Sequence, residues 1–152
     1  MIKKIAITGH TSGLGKSFFD LLSRQGHQVS GFSRSNGYDI RDYSVVSKII
    51  KEIQDFDLFI NNAKPDYAQS QIVYRLSREW HGTILSIGSK VVIDPPGWTD
   101  TFLLEYVTQK TALAHTHQVL ENVSKCKLIL IHPDHIDNPI QCAKNILESV
   151  GL

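Results

Sequence analysis

The sequence predicts a doubly wound α/β domain with a mostly parallel sheet of about six strands. Two observations predict it. Short apolar runs alternate with amphipathic stretches along the chain, and the runs are apolar at consecutive positions. Strands apolar on both faces belong inside a parallel sheet with helices on each side. The 152 residues suffice for one domain with its own core, and 41% apolar and 20% charged residues is ordinary globular usage. No repeat, linker or low-complexity tract interrupts the chain, so residues 1–152 read as a single domain.

Each element follows from local pattern. Residues 5–7 form a buried strand ending at Thr8-Gly9, and a helix over 14–24 carries Phe18, Leu21 and Leu22 on one face. Gly26 stops that helix, and residues 28–33 form a second strand. Residues 43–54 make an amphipathic helix, because Val45, Val46, Ile49, Ile50 and Ile53 share a stripe. Residues 56–60 are a continuous apolar strand, and 66–80 are helical with Ile72, Val73 and Leu76 inward. Residues 83–87 are the next strand, with 90–93 as a candidate extension of it. Asp94-Pro95-Pro96-Gly97 must be a loop. Thr99 or Asp100 is the candidate cap of a long helix reaching about Val123. Residues 127–131 are a further strand, and 139–150 a terminal helix that opens with proline.

Composition excludes several classes. Net charge is +1 with no dominant basic patch, so nucleic acid is not an expected partner. Cys126 and Cys142 form neither a disulfide framework nor a metal-ligand spacing, and free thiols suit a reducing compartment. The apolar run after Lys3 and Lys4 covers only residues 5–7, too short for a signal peptide, and no later stretch could span a bilayer. The expectation is a soluble cytoplasmic protein that uses no membrane. His115 and His117 point in different directions on a helix, and His132 and His135 lack a third ligand, so no metal is expected. Trp98, in the loop before the long helix, either lines a pocket or packs on that loop.

In parallel sheets ligands bind beyond the carboxyl ends of the strands. After the first strand comes Thr8-Gly9-His10-Thr11-Ser12-Gly13-Leu14-Gly15. Glycines there let the backbone turn sharply and approach a ligand, and the helix N-terminus beyond offers free N–H groups to a pyrophosphate. The second strand ends at Ser33-Arg34-Ser35, where a carboxylate usually meets a free ribose hydroxyl. A hydroxyl and a guanidinium suit a 2′-phosphate instead, which favours NADP(H) over NAD(H). Tyr106 and Lys110 sit four apart on the long helix and so share a face. A nearby ammonium favours the phenolate, which fits Tyr106 to give or take a proton.

Together these pieces resemble the short-chain dehydrogenase/reductase family. Gly9, Gly13 and Gly15 match its TGxxxGxG cofactor turn, in which Thr11, Ser12 and Leu14 also lie. Asp39-Ile40 is similar to the family's Asp-Val/Ile pair beside the adenine, and Asn61-Asn62-Ala63 matches NNAG except that Lys64 replaces the glycine. Residues 82–89 are similar to the strand that ends in the substrate-polarising serine, here Ser89. Tyr106 and Lys110 match YxxxK, and Pro133-Asp134-His135-Ile136 is similar to PGxI/V, whose last residue contacts the nicotinamide amide.

The resemblance implies a Rossmann-like fold and an NADP(H)-dependent oxidoreductase that interconverts a carbonyl and an alcohol on a small substrate. Ser89, Tyr106 and Lys110 would be catalytic. Gly9, Thr11, Ser12, Gly13, Leu14, Gly15, Ser33, Arg34, Asp39, Ile40, Asn62, Ala63, Tyr106, Lys110 and Ile136 would hold the cofactor. It also implies a homodimer or homotetramer paired through the helices at 66–80 and 99–123. The chain departs from the pattern in ways that point to an unusually short, trimmed member. Only five positions separate Arg34 from Asp39, and residues 62–82 leave room for one helix where the family has two. The missing helix ordinarily carries a catalytic asparagine, with no match here. Asp134 replaces a glycine, and Ser89 precedes Tyr106 by 17 positions, a wider gap than usual. Little chain follows Ile136 for a substrate-covering segment. These departures suit an alternative, a compact NADP-binding module with little or no turnover. An isomerase or epimerase of the extended family ranks last, because its glycine spacing differs.

Overall fold

The structure, a computed structural model, describes residues 1–95, 97 and 101–152. Among these, β1 (Lys4–Thr8), β2 (Gln28–Phe32), β3 (Leu58–Asn61), β4 (Thr83–Ile87) and β5 (Lys127–Ile131) form one sheet in the order β2-β1-β3-β4-β5. Every pairing is parallel, from Ile5 opposite Val29 to Leu85 opposite Ile129. The helices are α1 (Gly13–Arg24), α2 (Tyr43–Glu52), α3 (Ala68–Glu79), α4 (Thr101–Leu120) and α5 (Pro139–Ser149).

The sheet has five strands rather than about six. The candidate extension at 90–93 is not a strand, because Lys90–Val92 is a 3-10 turn capped by Ser89. A strand there would have needed a neighbour, and β4 is already paired on both edges by β3 and β5. The second strand stops at Phe32, and Arg34–Asn36 is another 3-10 turn. The expected cap at Thr99 or Asp100, and Trp98, lie outside the described residues.

Alternation along the strands divides the core into two layers. Ile5, Ile7, Leu58, Ile60, Leu85 and Ile87 face α1 and α5, meeting Phe18, Leu22, Ala143 and Ile146. Ala6, Phe59 and Ile84 face the other side, where α2, α3 and α4 supply Ile49, Ile72, Leu76 and Leu113. Trp80 is buried at the end of α3, and its indole N–H donates to the Ile53 carbonyl at 2.8 Å. Gly26 has φ +85, the left-handed geometry that ends α1.

This order places the crossover reversal between β1 and β3. Chain leaving β1 turns to one face and chain leaving β3 to the other, so a crevice opens at their carboxyl ends.

Candidate cofactor and active site

Sharp backbone geometry builds the wall of this crevice. Gly9 has φ +69 and Gly13 φ +53, in the left-handed region that costs glycine least. A Cβ on Gly15 would overlap the Gly9 carbonyl oxygen and crowd Asn62 Nδ2. Gly15 is therefore buried beneath the turn rather than on the crevice wall, and it lets α1 approach β1. The turn is tied to the next strand end through Thr8. Its buried hydroxyl oxygen accepts from the Asn62 and Ala63 amides at 3.1 Å, while Asn62 Nδ2 donates to the Thr8 and Gly9 carbonyls. Ser12 sits at the N-cap of α1 without a side-chain cap bond. The first amides of α1 therefore remain as donors at the crevice.

The far wall holds the second strand end. Ser33 and Asn36 form a reciprocal capping box, with the Ser33 amide donating to Asn36 Oδ1 at 2.8 Å. Arg34 is exposed and lines the crevice. Asp39 is clamped by Arg41, whose Nη2 donates to Oδ2 at 2.7 Å, and this bond holds its carboxyl down at about 2. Ile40 is buried beside it.

The deep end is formed by β3, β4, α3 and α4. Tyr106 is half-buried, with two lysine side chains near its ring, Lys64 Nζ at 4.9 Å and Lys110 Nζ at 5.8 Å from the centroid. Lys110 is only 3% exposed. Its Nζ donates to Gln69 Oε1 at 2.8 Å and to the Ile87 carbonyl at 2.7 Å, so these anchors rather than the phenol fix it. Burial, helped by the Lys64 charge, pulls the Lys110 pKa from 10.5 down to about 7. The Ser89 hydroxyl accepts from the Val91 amide at 3.4 Å, and the Ser89 amide donates to His132 Nδ1 at 3.3 Å. Gly88 must be small, because a Cβ there would lie 2.6 Å from His132 Nδ1. Lys90 and Asp134 close the rim through an ion pair at 3.0 Å.

One cleft of about 1500 Å³ joins these walls. Gly9, Thr11, Ser12, Gly13, Leu14, Ser33, Arg34, Asp39, Ile40, Asn62, Ala63, Ser89, Tyr106, Lys110 and Ile136 all line it. Of the candidate catalytic and cofactor-binding residues, Gly15 stays behind the surface.

The structure adds polar neighbours of Lys110. Gln69 and Ser86 had no role in the sequence reading, Asn61 entered it only as part of the NNAG-like run, and His117 only as a metal candidate set aside; all four are buried behind Lys110. Asn61 Nδ2 donates to the Gln69 carbonyl and to Ser86 Oγ, and His117 Nε2 lies 2.8 Å from Ser86 Oγ. Burial pushes the His117 pKa down to about 4, so the ring is neutral. A signal for His117 was present. Lys110, Leu113, His117 and Leu120 are the buried residues of α4 and recur at helical spacing.

A scan of protein-family models and a search of curated proteins return no match to the sequence. Solved structures do match. A Burkholderia cenocepacia short-chain dehydrogenase in complex with NADP superposes with TM-score 0.78 at 14% identity, over 98% of this chain and 84% of that one. A small-chain dehydrogenase gives 0.81 at 18% identity, over 100% and 91%. A 3-alpha-hydroxysteroid dehydrogenase from a Pseudomonas species, complexed with NADH, gives 0.71 at 20% identity, over 97% and 88%. The chain has the short-chain dehydrogenase fold. In this chain the glycine turn, Tyr106 and Lys110 line one cleft at the carboxyl edge of the sheet.

Proposed function

We propose that this chain is a short-chain dehydrogenase/reductase that binds NADP(H) and interconverts a carbonyl and an alcohol on a small substrate. One observation carries the reading. The glycine turn, the α1 N-terminus, Tyr106, Lys110 and Ser89 all line a single cleft at the carboxyl edge of a parallel sheet. The residues present fit a dinucleotide. Gly9 and Gly13 leave the crevice wall without side chains, the α1 amides suit a diphosphate, and Arg34 suits a 2′-phosphate. Bound there, the nicotinamide would supply the hydride.

The chain's own groups would do the rest. Tyr106 would pass a proton to or from the substrate oxygen. Lys110 would hold the nicotinamide ribose and favour the phenolate. Ser89 would rotate its hydroxyl from the Val91 amide to the carbonyl oxygen and stabilise developing charge. Asn62 and Ala63 would border the cofactor, Asp39 and Ile40 the adenine, and Ile136 the nicotinamide amide. The same reading includes a homodimer or homotetramer paired through α3 and α4. The exposed apolar residues Phe102, Leu104 and Val119 of α4 support it. Light scattering that shows a clean monomer removes that part.

A second reading is an NADP-binding module without turnover. It is favoured by the Ser89 hydroxyl already serving as a cap and by Lys64 standing over the Tyr106 ring. Fluorescence titration with NADPH and NADH in parallel tests the shared part. NADPH should bind more tightly, and Arg34→Ala should erase most of that preference. An unchanged ratio overturns the cofactor choice. A screen of aldehydes and ketones against NADPH absorbance separates the two readings, since steady oxidation requires the enzyme.

A further inference from the structure

We propose that Gln69 is the positioning residue of this site, its buried side-chain amide fixing the Lys110 ammonium at the cleft floor. The role rests on the reading of Lys110 given above; the contact itself does not. Gln69 is 4% exposed and Lys110 3%, so neither group can turn to water instead.

The two ends of the amide are distinguished by chemistry. Gln69 Nε2 donates to the Asn61 carbonyl at 2.8 Å and to the Ile87 carbonyl at 3.2 Å. Gln69 Oε1 accepts from Lys110 Nζ at 2.8 Å. The reversed amide would set its oxygen against two carbonyl oxygens and its NH₂ against an ammonium, so only one orientation satisfies all partners. Ile87 O accepts from both side chains, which closes a three-membered ring of contacts between α3, β4 and α4. Asn61 Nδ2 holds the Gln69 backbone carbonyl in turn, at 3.1 Å.

An ammonium has three N–H donors. Gln69 and Ile87 take two, which leaves one for the cleft that Lys110 lines. A neutral amide suits this task better than a carboxylate. Glutamate at 69 would pair with Lys110 but oppose the Asn61 and Ile87 carbonyls, and it would add a second buried charge. The charged or titratable groups around Lys110 are Lys64 from the loop after β3, Tyr106 and, further along α4, His117. Among the described residues none of these is an anion, so Gln69 and Ile87 hold the ammonium by hydrogen bonding.

Nitrogen-15 NMR of the lysine ammonium groups tests this on the intact chain. At about pH 5.5, wild type should show a slowly exchanging Nζ signal that disappears in Lys110→Met, because a buried, bonded ammonium is protected. In Gln69→Met, which keeps side-chain length, that signal should be lost to exchange. The Lys110 titration should also fall by about one pH unit, since a bond to the charged form is gone. NADPH should bind about tenfold more weakly at pH 8. A merely structural glutamine would move neither the titration nor the affinity, and that result overturns the proposal. If Gln69→Met does not fold, the wild-type spectrum decides, because no protected signal refutes the contact. Should wild type fail to bind NADPH, the proposed function falls while the two Nζ measurements still judge Gln69.

Discussion

Replacing Lys110 with methionine should change stability in opposite directions at the two ends of the accessible pH range. The buried ammonium is the reason. Folding lowers the Lys110 pKa from 10.5 to about 7, chiefly through burial. Between those values the unfolded chain holds a proton that the folded chain has released. Wild-type stability therefore rises with pH across that window, by at most about 1.4 kcal/mol per pH unit from this group. Below about pH 7 both states carry the charge and the full desolvation penalty remains.

Methionine keeps the length and removes the titration. It leaves Gln69 Oε1 without its donor, at a cost of roughly 1–3 kcal/mol. Ile87 O keeps its bond from Gln69 Nε2. At pH 6.5 the lost penalty offsets that cost, and the variant should match or exceed wild type. From about pH 7.5 to 9.5, wild type should gain on the order of 2–3 kcal/mol over the variant. Urea unfolding followed by circular dichroism at four pH values measures the difference directly. His117, Cys126 and the surface carboxylates are common to both chains and cancel. A difference that stays constant across the range would mean Lys110 titrates alike folded and unfolded, and would refute the buried-ammonium account.

His117 gives a separate acid-side signature. Its pKa falls from 6.5 to about 4 by burial, so the unfolded chain protonates first and stability declines as pH drops through that window. The loss should be on the order of 3 kcal/mol in wild type, and equal slopes in His117→Gln would rule this out. Gly15→Ala should lower stability by about 1–3 kcal/mol, because the new methyl overlaps the Gly9 carbonyl. NADPH affinity should fall with it, and a melting temperature within one degree of wild type would show that the turn yields. Tyr106→Phe should abolish carbonyl reduction and leave the NADPH dissociation constant within about twofold. Retained turnover in that variant ends the proton-transfer role.

The strands were legible because each is a run of consecutive apolar residues, and a buried parallel strand permits little else. The glycine turn was legible from its spacing after β1. What escaped notice was the polar interior of α3, β4 and α4. Helix α4 mixes apolar and polar residues on every side, so only the spacing of its buried residues, not its polarity, marks an inner face. Phe102 is 78% exposed on it while Lys110 and His117 are buried, an inversion that only the packed neighbours explain. Ser86 and Gln69 likewise look like surface residues until the strand alternation and the Asn61 side chain bring them together. Val91-Val92-Ile93 has strand composition, but the Ser89 cap and the Ile93 and Asp94 amide bonds to the Lys90 carbonyl override it and close a turn.

The order of the sheet explains why the floor of the cleft is firmly held. Residues 33–42 follow β2 at one edge. Residues 132–152 follow β5 at the other edge. Lys110, Gln69, Asn61, Ser86 and His117 hang instead on β3, β4 and the two helices against them. Both of those strands are paired on each side and buried on each face, so their ends are held in place by the whole core. A change at either edge of the sheet therefore alters the rim of the cleft before it loosens the floor. Lys110 and its amide anchor are the best held part of the cleft, because their partners are backbone and side chains of the central strands and the helices against them.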